Sequence, residues 1–156
     1  MEKSLKISFA YAVHNPENSE EFLIIERPAR DEGPGVWGLP AGTISHEWPV
    51  PSEEDYKHAI RESSREKLGI EVEVGHALGE DFTDKRKRYD LHMTVYEAFL
   101  LSGTPNVNQD VPKDKTKYVG WKWSLARNKD LIESARAGGL CCKVFLETYG
   151  VINFSN

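Results

Sequence analysis

The chain is poor in cysteine, has no long apolar run and carries no excess of basic residues. Its two cysteines, Cys141 and Cys142, are adjacent. Sequence neighbours are poor partners for an ordinary disulfide, and no Cys-x-x-Cys spacing offers a metal site. Reduced, packed thiols in a cytoplasmic protein are the expectation. No segment approaches the roughly 20 apolar residues of a membrane span. The start, Met1-Glu2-Lys3-Ser4, lacks an apolar signal run. Lys and Arg number 20 against 25 Asp and Glu, a net charge of -5. Nucleic-acid scaffolds are usually basic, so nucleic acid is an unexpected partner. A negatively charged phosphate substrate would then need local cations, from a metal or nearby Arg and Lys. Repeats and low-complexity tracts are also absent.

What is present fits one domain spanning residues 1–156, since 156 residues with 39% hydrophobic content can bury a real core. Residues 7–13 are short and apolar and read as a strand. Asn15 to Ser19 is turn chemistry. Phe22-Leu23-Ile24-Ile25 is a continuous apolar run, typical of a strand covered on both faces. Residues 30–35 form a Gly-Pro-Gly loop. Residues 70–74 alternate as a strand, residues 82–89 bracket a turn, and Leu91, Met93, Val95, Phe99 and Leu101 alternate along another. Residues 104–117 are a polar loop, residues 118–123 a strand, and residues 131–149 a helix weakened or broken at Gly138-Gly139. Mixed strands and helices with one fully apolar strand imply a sheet between helical layers, an α/β class.

The richest stretch runs from Leu39 to Ile70. It contains a glycine turn at Gly42, acids at Glu53 and Glu54, then Arg61-Glu62 with Glu66 a helical turn further on. Carboxylates four apart on a helix share a face, with Cβ atoms about 6 Å apart. That spacing lets Glu62 and Glu66 grip one divalent cation. A glycine-rich loop alongside can bring backbone groups close to a phosphate. Helix formation is expected from Ser52 with Asp55 as a capping pair and from Tyr56, Ala59, Ile60 and Ser63 at helical spacing. Two caps compete. With Ser52 as cap, Glu53 lies in the first turn, about 12 Å along the axis from Arg61; with Asp55 as cap, Glu53 is free to fold back.

These residues resemble the Nudix hydrolase signature: Gly, five residues, Glu, seven residues, Arg-Glu, an apolar residue, any residue, Glu-Glu, any residue, Gly, apolar. Gly42 opens it, Glu53 stands eight before Arg61, and Gly69-Ile70 closes it. The lead-in from Gly35 to Gly42 and the Trp121-Lys122-Trp123 strand are similar to the family's too. Three departures stand out. Ten residues rather than five separate Gly42 from Glu53, enlarging the loop over residues 43–52. The closing glycine comes one residue late. One of the three expected metal-binding acids is basic: Arg65 when counted forward from Arg61, Lys67 when counted back from Gly69. The forward count is preferred because it keeps Arg61 and Glu62 in place, whereas the backward count also puts Ser63 at the glutamate of Arg-Glu.

The resemblance implies an α/β/α sandwich with a mixed β-sheet. It implies a hydrolase that cleaves a pyrophosphate bond in a nucleoside diphosphate linked to another moiety. Glu62, Glu66 and the Ala41 carbonyl would hold Mg²⁺ or Mn²⁺, whose bound water becomes the nucleophile. Arg61 would orient the acids and Glu53 would brace Arg61; Glu66 is the first choice of base and Glu97 the second. Arg27 and Gly42 would face the small-molecule nucleotide. Pro40-Ala41-Gly42 looks like ADP-ribose-cleaving relatives, and Trp37-Gly38-Leu39-Pro40 like triphosphate-cleaving ones. A homodimer is a further expectation. The alternative is a weakened module that binds or senses a nucleotide without turnover.

Plainer readings stand beside these. Glu62 and Glu66 could be solvated acids, and Gly42 a turn residue. The Lys85-Arg86-Lys87-Arg88 run reads as a charged hairpin tip that keeps an edge soluble. Arg27 could simply end a strand. Glu97, in an apolar row, is costly unless paired, and a sheet-edge salt bridge is expected. Trp121 and Trp123 are expected in the core. His14, His46, His58, His76 and His92 show no ligand spacing.

Overall fold

A computed structural model describes residues 4–28, 36–83 and 89–153. The chain opens with a hairpin of β1 (Ser4–Asn15) and β2 (Asn18–Glu26). Two short strands follow, β3 (Trp37–Gly38) and β4 (Ala41–Ser45), then helix α1 (Glu53–Leu68). Next come β5 (Glu71–Phe82), β6 (Tyr89–Ser102) and β7 (Gly120–Leu125). Helices α2 (Lys129–Arg136) and α3 (Leu140–Thr148) complete the described part.

The strands form one mixed sheet in the order β3-β2-β1-β6-β5, with β4 also on β1 and β7 on β2. Only the β1–β6 pairing is parallel among those described. Side chains alternate across a strand, and β2 shows what this does. Leu23 and Ile25 enter a core with Ile60 and Leu68 of α1. Phe22 and Ile24 enter a second core with Leu131 of α2 and Phe145 of α3. Phe22, Leu23, Ile24 and Ile25 are therefore all buried, and the expected α/β/α sandwich is the observed one. Cys141 and Cys142 are free and buried in the second core. Trp121 and Trp123 pack partly buried against the first.

Helix α1 begins where the first of the two caps put it. The Ser52 hydroxyl accepts from the Asp55 amide and the Asp55 carboxylate accepts from the Ser52 amide, which satisfies two orphan donors of the first turn. Glu53, Glu54 and Asp55 place negative charge at the positive helix end. Gly69, with φ 64°, closes the helix in the left-handed conformation. The last helical stretch breaks at Gly138 (φ 105°), and Gly139 caps α3.

Several expectations change. Gly42 lies in β4 opposite Phe9, not in a turn. A Cβ there would sit 2.7 Å from the Phe9 ring, so any side chain at 42 would require the ring to move. Glu97 is not at a sheet edge: β6 is flanked by β1 and β5. Its carboxylate pairs with His14 at 2.8 Å and His76 at 3.2 Å. Residues 30–35 and Lys85 to Arg88 lie outside the described residues. Among those described, no helix is long and apolar enough to cross a membrane.

Candidate active site

A cleft of about 1230 Å³ opens between β4, the enlarged loop, α1 and residues 114–118. Its size suits a small molecule. Phe9, Leu91 and Met93 supply apolar wall, and Lys6, Arg27, Glu62, Lys67 and Lys115 supply charge. Of the sequence-derived residues, Arg27, Ala41, Gly42 and Glu62 line it. Glu53, Arg61 and Glu66 are not among its lining residues.

Glu62 and Glu66 do share a face of α1, as their spacing requires. They converge on an ammonium group: Lys115 Nζ lies 2.8 Å from Glu66 and 3.6 Å from Glu62. Glu62 also meets His58 at 3.3 Å. The hydrogen bond from Lys115 holds the Glu66 carboxyl below the ordinary glutamate range, against the opposing effect of burial. Burial disfavours the charged form of Lys115, but the bond and nearby charge of Glu66, with Glu62, outweigh it and raise its pKa. Gln109 fastens the same polar loop to the helix, its side-chain amide donating to the Arg65 and Glu66 carbonyls.

Glu53 does not brace Arg61. It lies in the first turn and pairs with Lys57 at 3.5 Å. Arg61 is joined to neither Glu62 nor Glu66 by any ion pair among the described residues. The capping geometry explains this: Ser52 as cap puts Glu53 two turns away from Arg61. Arg27 follows β2 and donates to the Leu39 carbonyl at 3.4 Å while lining the cleft.

The inner face of α1 holds residues the forward count passed over. Ser63 is buried, with its hydroxyl 2.9 Å from that of Tyr11 on β1. Burial, then the nearby Tyr118, pushes the Tyr11 hydroxyl well above its usual range, so it stays neutral. One turn on, Lys67 is 4% exposed. Its Nζ donates to the Ala41 carbonyl at 2.6 Å and lies 3.4 Å from the Tyr118 hydroxyl. That hydroxyl donates to the same carbonyl at 3.1 Å and accepts from the Ala41 amide at 2.9 Å. Glu66 and Ala41 are thus not neighbours across the cleft; Lys67 and Ala41 are. The backward count describes this face, and the late Gly69 was the signal for it. Lys115 carried no signal at all, because its partner Glu66 is 49 residues away.

A magnesium-type cation wants several oxygens in a near-octahedral shell. Here the Ala41 oxygen accepts from Lys67 and Tyr118, and Glu66 accepts from Lys115. Among the described residues no three His, Cys, Asp or Glu side chains come together as a metal set. Glu62, Glu66 and Ala41 therefore do not fit Mg²⁺ or Mn²⁺ as expected. Two ammonium groups, of Lys67 and Lys115, stand where positive charge would be wanted.

No family model and no curated protein matches the sequence. Solved structures do match the fold. A MutT protein from Methanosarcina mazei Go1 aligns with TM-score 0.65 at 15% identity, over 96% of this chain and 96% of that one. A MutT NUDIX hydrolase from Burkholderia pseudomallei aligns with TM-score 0.58 at 24% identity, over 80% and 85%. An ADP-ribose pyrophosphatase from Streptococcus suis 89-1591 aligns with TM-score 0.52 at 18% identity, over 79% and 75%. At these identities the likeness establishes the fold: an α/β/α sandwich of the kind these Nudix hydrolases have.

Proposed function

We propose that the cleft captures the diphosphate group of a nucleoside diphosphate derivative, using protein ammonium groups in place of a metal ion. One observation carries this reading. The Lys67 ammonium is almost wholly buried, faces the cleft and makes no ion pair with a carboxylate among the described residues. Glu66 lies near enough to feel this charge but is bonded to Lys115, and a buried charge without a hydrogen-bonded counter-charge is costly. An anionic group entering the cleft supplies that counter-charge. Lysine binds phosphate as a point charge with three donors, two of them used here by Ala41 and Tyr118. Arg27 and Lys6 line the same space, and Phe9, Leu91 and Met93 offer apolar surface to the rest of the ligand.

Titration calorimetry with ADP-ribose, nucleoside diphosphate sugars and nucleoside triphosphates in chelator tests this. Binding without added metal, weakening as salt rises, is the expected result. Failure of every compound to bind overturns it.

Pyrophosphate hydrolysis is the second reading. It is supported by the names of the fold's neighbours, a pyrophosphatase among them, and by Glu62 at the cleft wall beside an ionised Glu66. Its mark is release of nucleoside monophosphate from the same compounds when Mg²⁺ or Mn²⁺ is added. Steady multiple turnover there would make the chain an enzyme.

A further inference from the structure

We infer that Lys67 is a built-in substitute for an exchangeable cation, so that the residue at position 67 decides whether this cleft holds an anion directly or through a metal. The inference rests on the anion-binding reading above and deepens it. The Lys67 ammonium takes the same oxygen atoms a cation would take. It reaches the Ala41 carbonyl at 2.6 Å and the Tyr118 hydroxyl at 3.4 Å, and it sits 5.1 Å from the centre of the Tyr118 ring. Tyr118 is itself buried and locked by two hydrogen bonds to the Ala41 peptide. The oxygens are therefore fixed before any ligand arrives.

The surrounding structure holds this arrangement in place. Ala41 is held in β4 by its pairing with Ala10 of β1. Lys67 is fixed by the last turn of α1, whose end is set by Gly69. Glu66 is its immediate neighbour in sequence, with its carboxylate occupied by Lys115. A carboxylate at position 67 would sit beside the Ala41 carbonyl and Tyr118 hydroxyl oxygens that now meet the ammonium. That is an oxygen set suited to a dication.

Two variants and two probes test this. Mn²⁺ alone, followed by electron paramagnetic resonance and by thermal unfolding, is titrated into the wild type, Lys67→Met and Lys67→Glu. The wild type and Lys67→Met are expected to bind no Mn²⁺. Lys67→Glu is expected to bind it and to gain melting temperature as Mn²⁺ rises, because a ligand stabilises the state that binds it. Equal Mn²⁺ binding by wild type and Lys67→Glu overturns the inference. So does a folded Lys67→Glu that ignores Mn²⁺. Inorganic pyrophosphate in chelator is the second probe. Lys67→Met keeps most of the side chain's length and loses its charge, so affinity should fall about tenfold or more, the loss of one hydrogen bond to a charged group. Unchanged affinity in Lys67→Met, or wild-type binding that requires Mg²⁺, overturns the substitution. If pyrophosphate and nucleotides bind to none of the proteins, the anion-binding reading falls, while the Mn²⁺ arm still decides what position 67 does.

Discussion

The two sides of α1 carry opposite chemistry. The inner side, Ile60, Ser63 and Lys67, is buried against β1, β4 and Tyr118. The outer side, Glu62 and Glu66, faces the loop that carries Lys115. Acids that look like a metal grip in sequence are on the side neutralised by a loop lysine. The group that meets the Ala41 carbonyl is a lysine on the other side. What a helix offers to a cleft is set by which of its faces is turned there, a matter of about 100° per residue, and not by how many acids it carries.

This contrast can be broken by substitution. Ile60→Ala on the inner side should cost about 2–5 kcal/mol, since a fully buried side chain leaves a cavity between α1 and the sheet. Glu62→Ala on the outer side should change stability by about 0.5 kcal/mol or less. Urea unfolding measures both, and equal costs would erase the distinction between the faces.

Ser63→Ala comes next. It strands the buried Tyr11 hydroxyl, whose observed partner is Ser63 at 2.9 Å, and should cost about 1–3 kcal/mol. Adding Tyr11→Phe removes the stranded group and should recover part of that loss in the same unfolding assay. A double variant no better than the single one would mean that the hydroxyl pair contributes nothing by being paired.

The remaining effect belongs to the outer side and to pH. The folded-state pKa of Glu66 is lowered, chiefly by the hydrogen bond from Lys115. Its contribution is therefore present above the unfolded glutamate value of about 4.3 and is lost as pH falls through the lower folded value. Lys115→Ala should destabilise by about 1 kcal/mol or less at neutral pH. The difference from wild type should close at acid pH. A gap that stays constant from pH 7 to pH 3 would show that the ion pair is not its source.

Much of the architecture was legible because it depends on local rules. The apolar run from Phe22 to Ile25 reads as a strand covered on both faces, and it is one. Helical spacing from Tyr56 to Ser63 announces α1, and Gly138-Gly139 the break between α2 and α3. The short strands β3 and β4 were not legible. Gly42 looks like turn chemistry and is in a strand because β4 pairs with β1 there, opposite Phe9. Glu97 reads as an edge acid and lies inside the sheet, between His14 and His76, because β6 pairs in parallel with β1 across more than 80 residues of chain.

Sequence alone determined the helix α1, the four-residue spacing of Glu62 and Glu66, and the presence of a basic residue, Arg65 or Lys67, where an acid was looked for. Those follow from backbone periodicity and from hydrogen bonds between near neighbours. Tertiary structure alone decided that Lys67 meets the Ala41 oxygen and that Lys115 closes over the acids. Those contacts join positions 26 and 49 residues apart. Such pairings are fixed by how the sheet and helix pack, which no local pattern records.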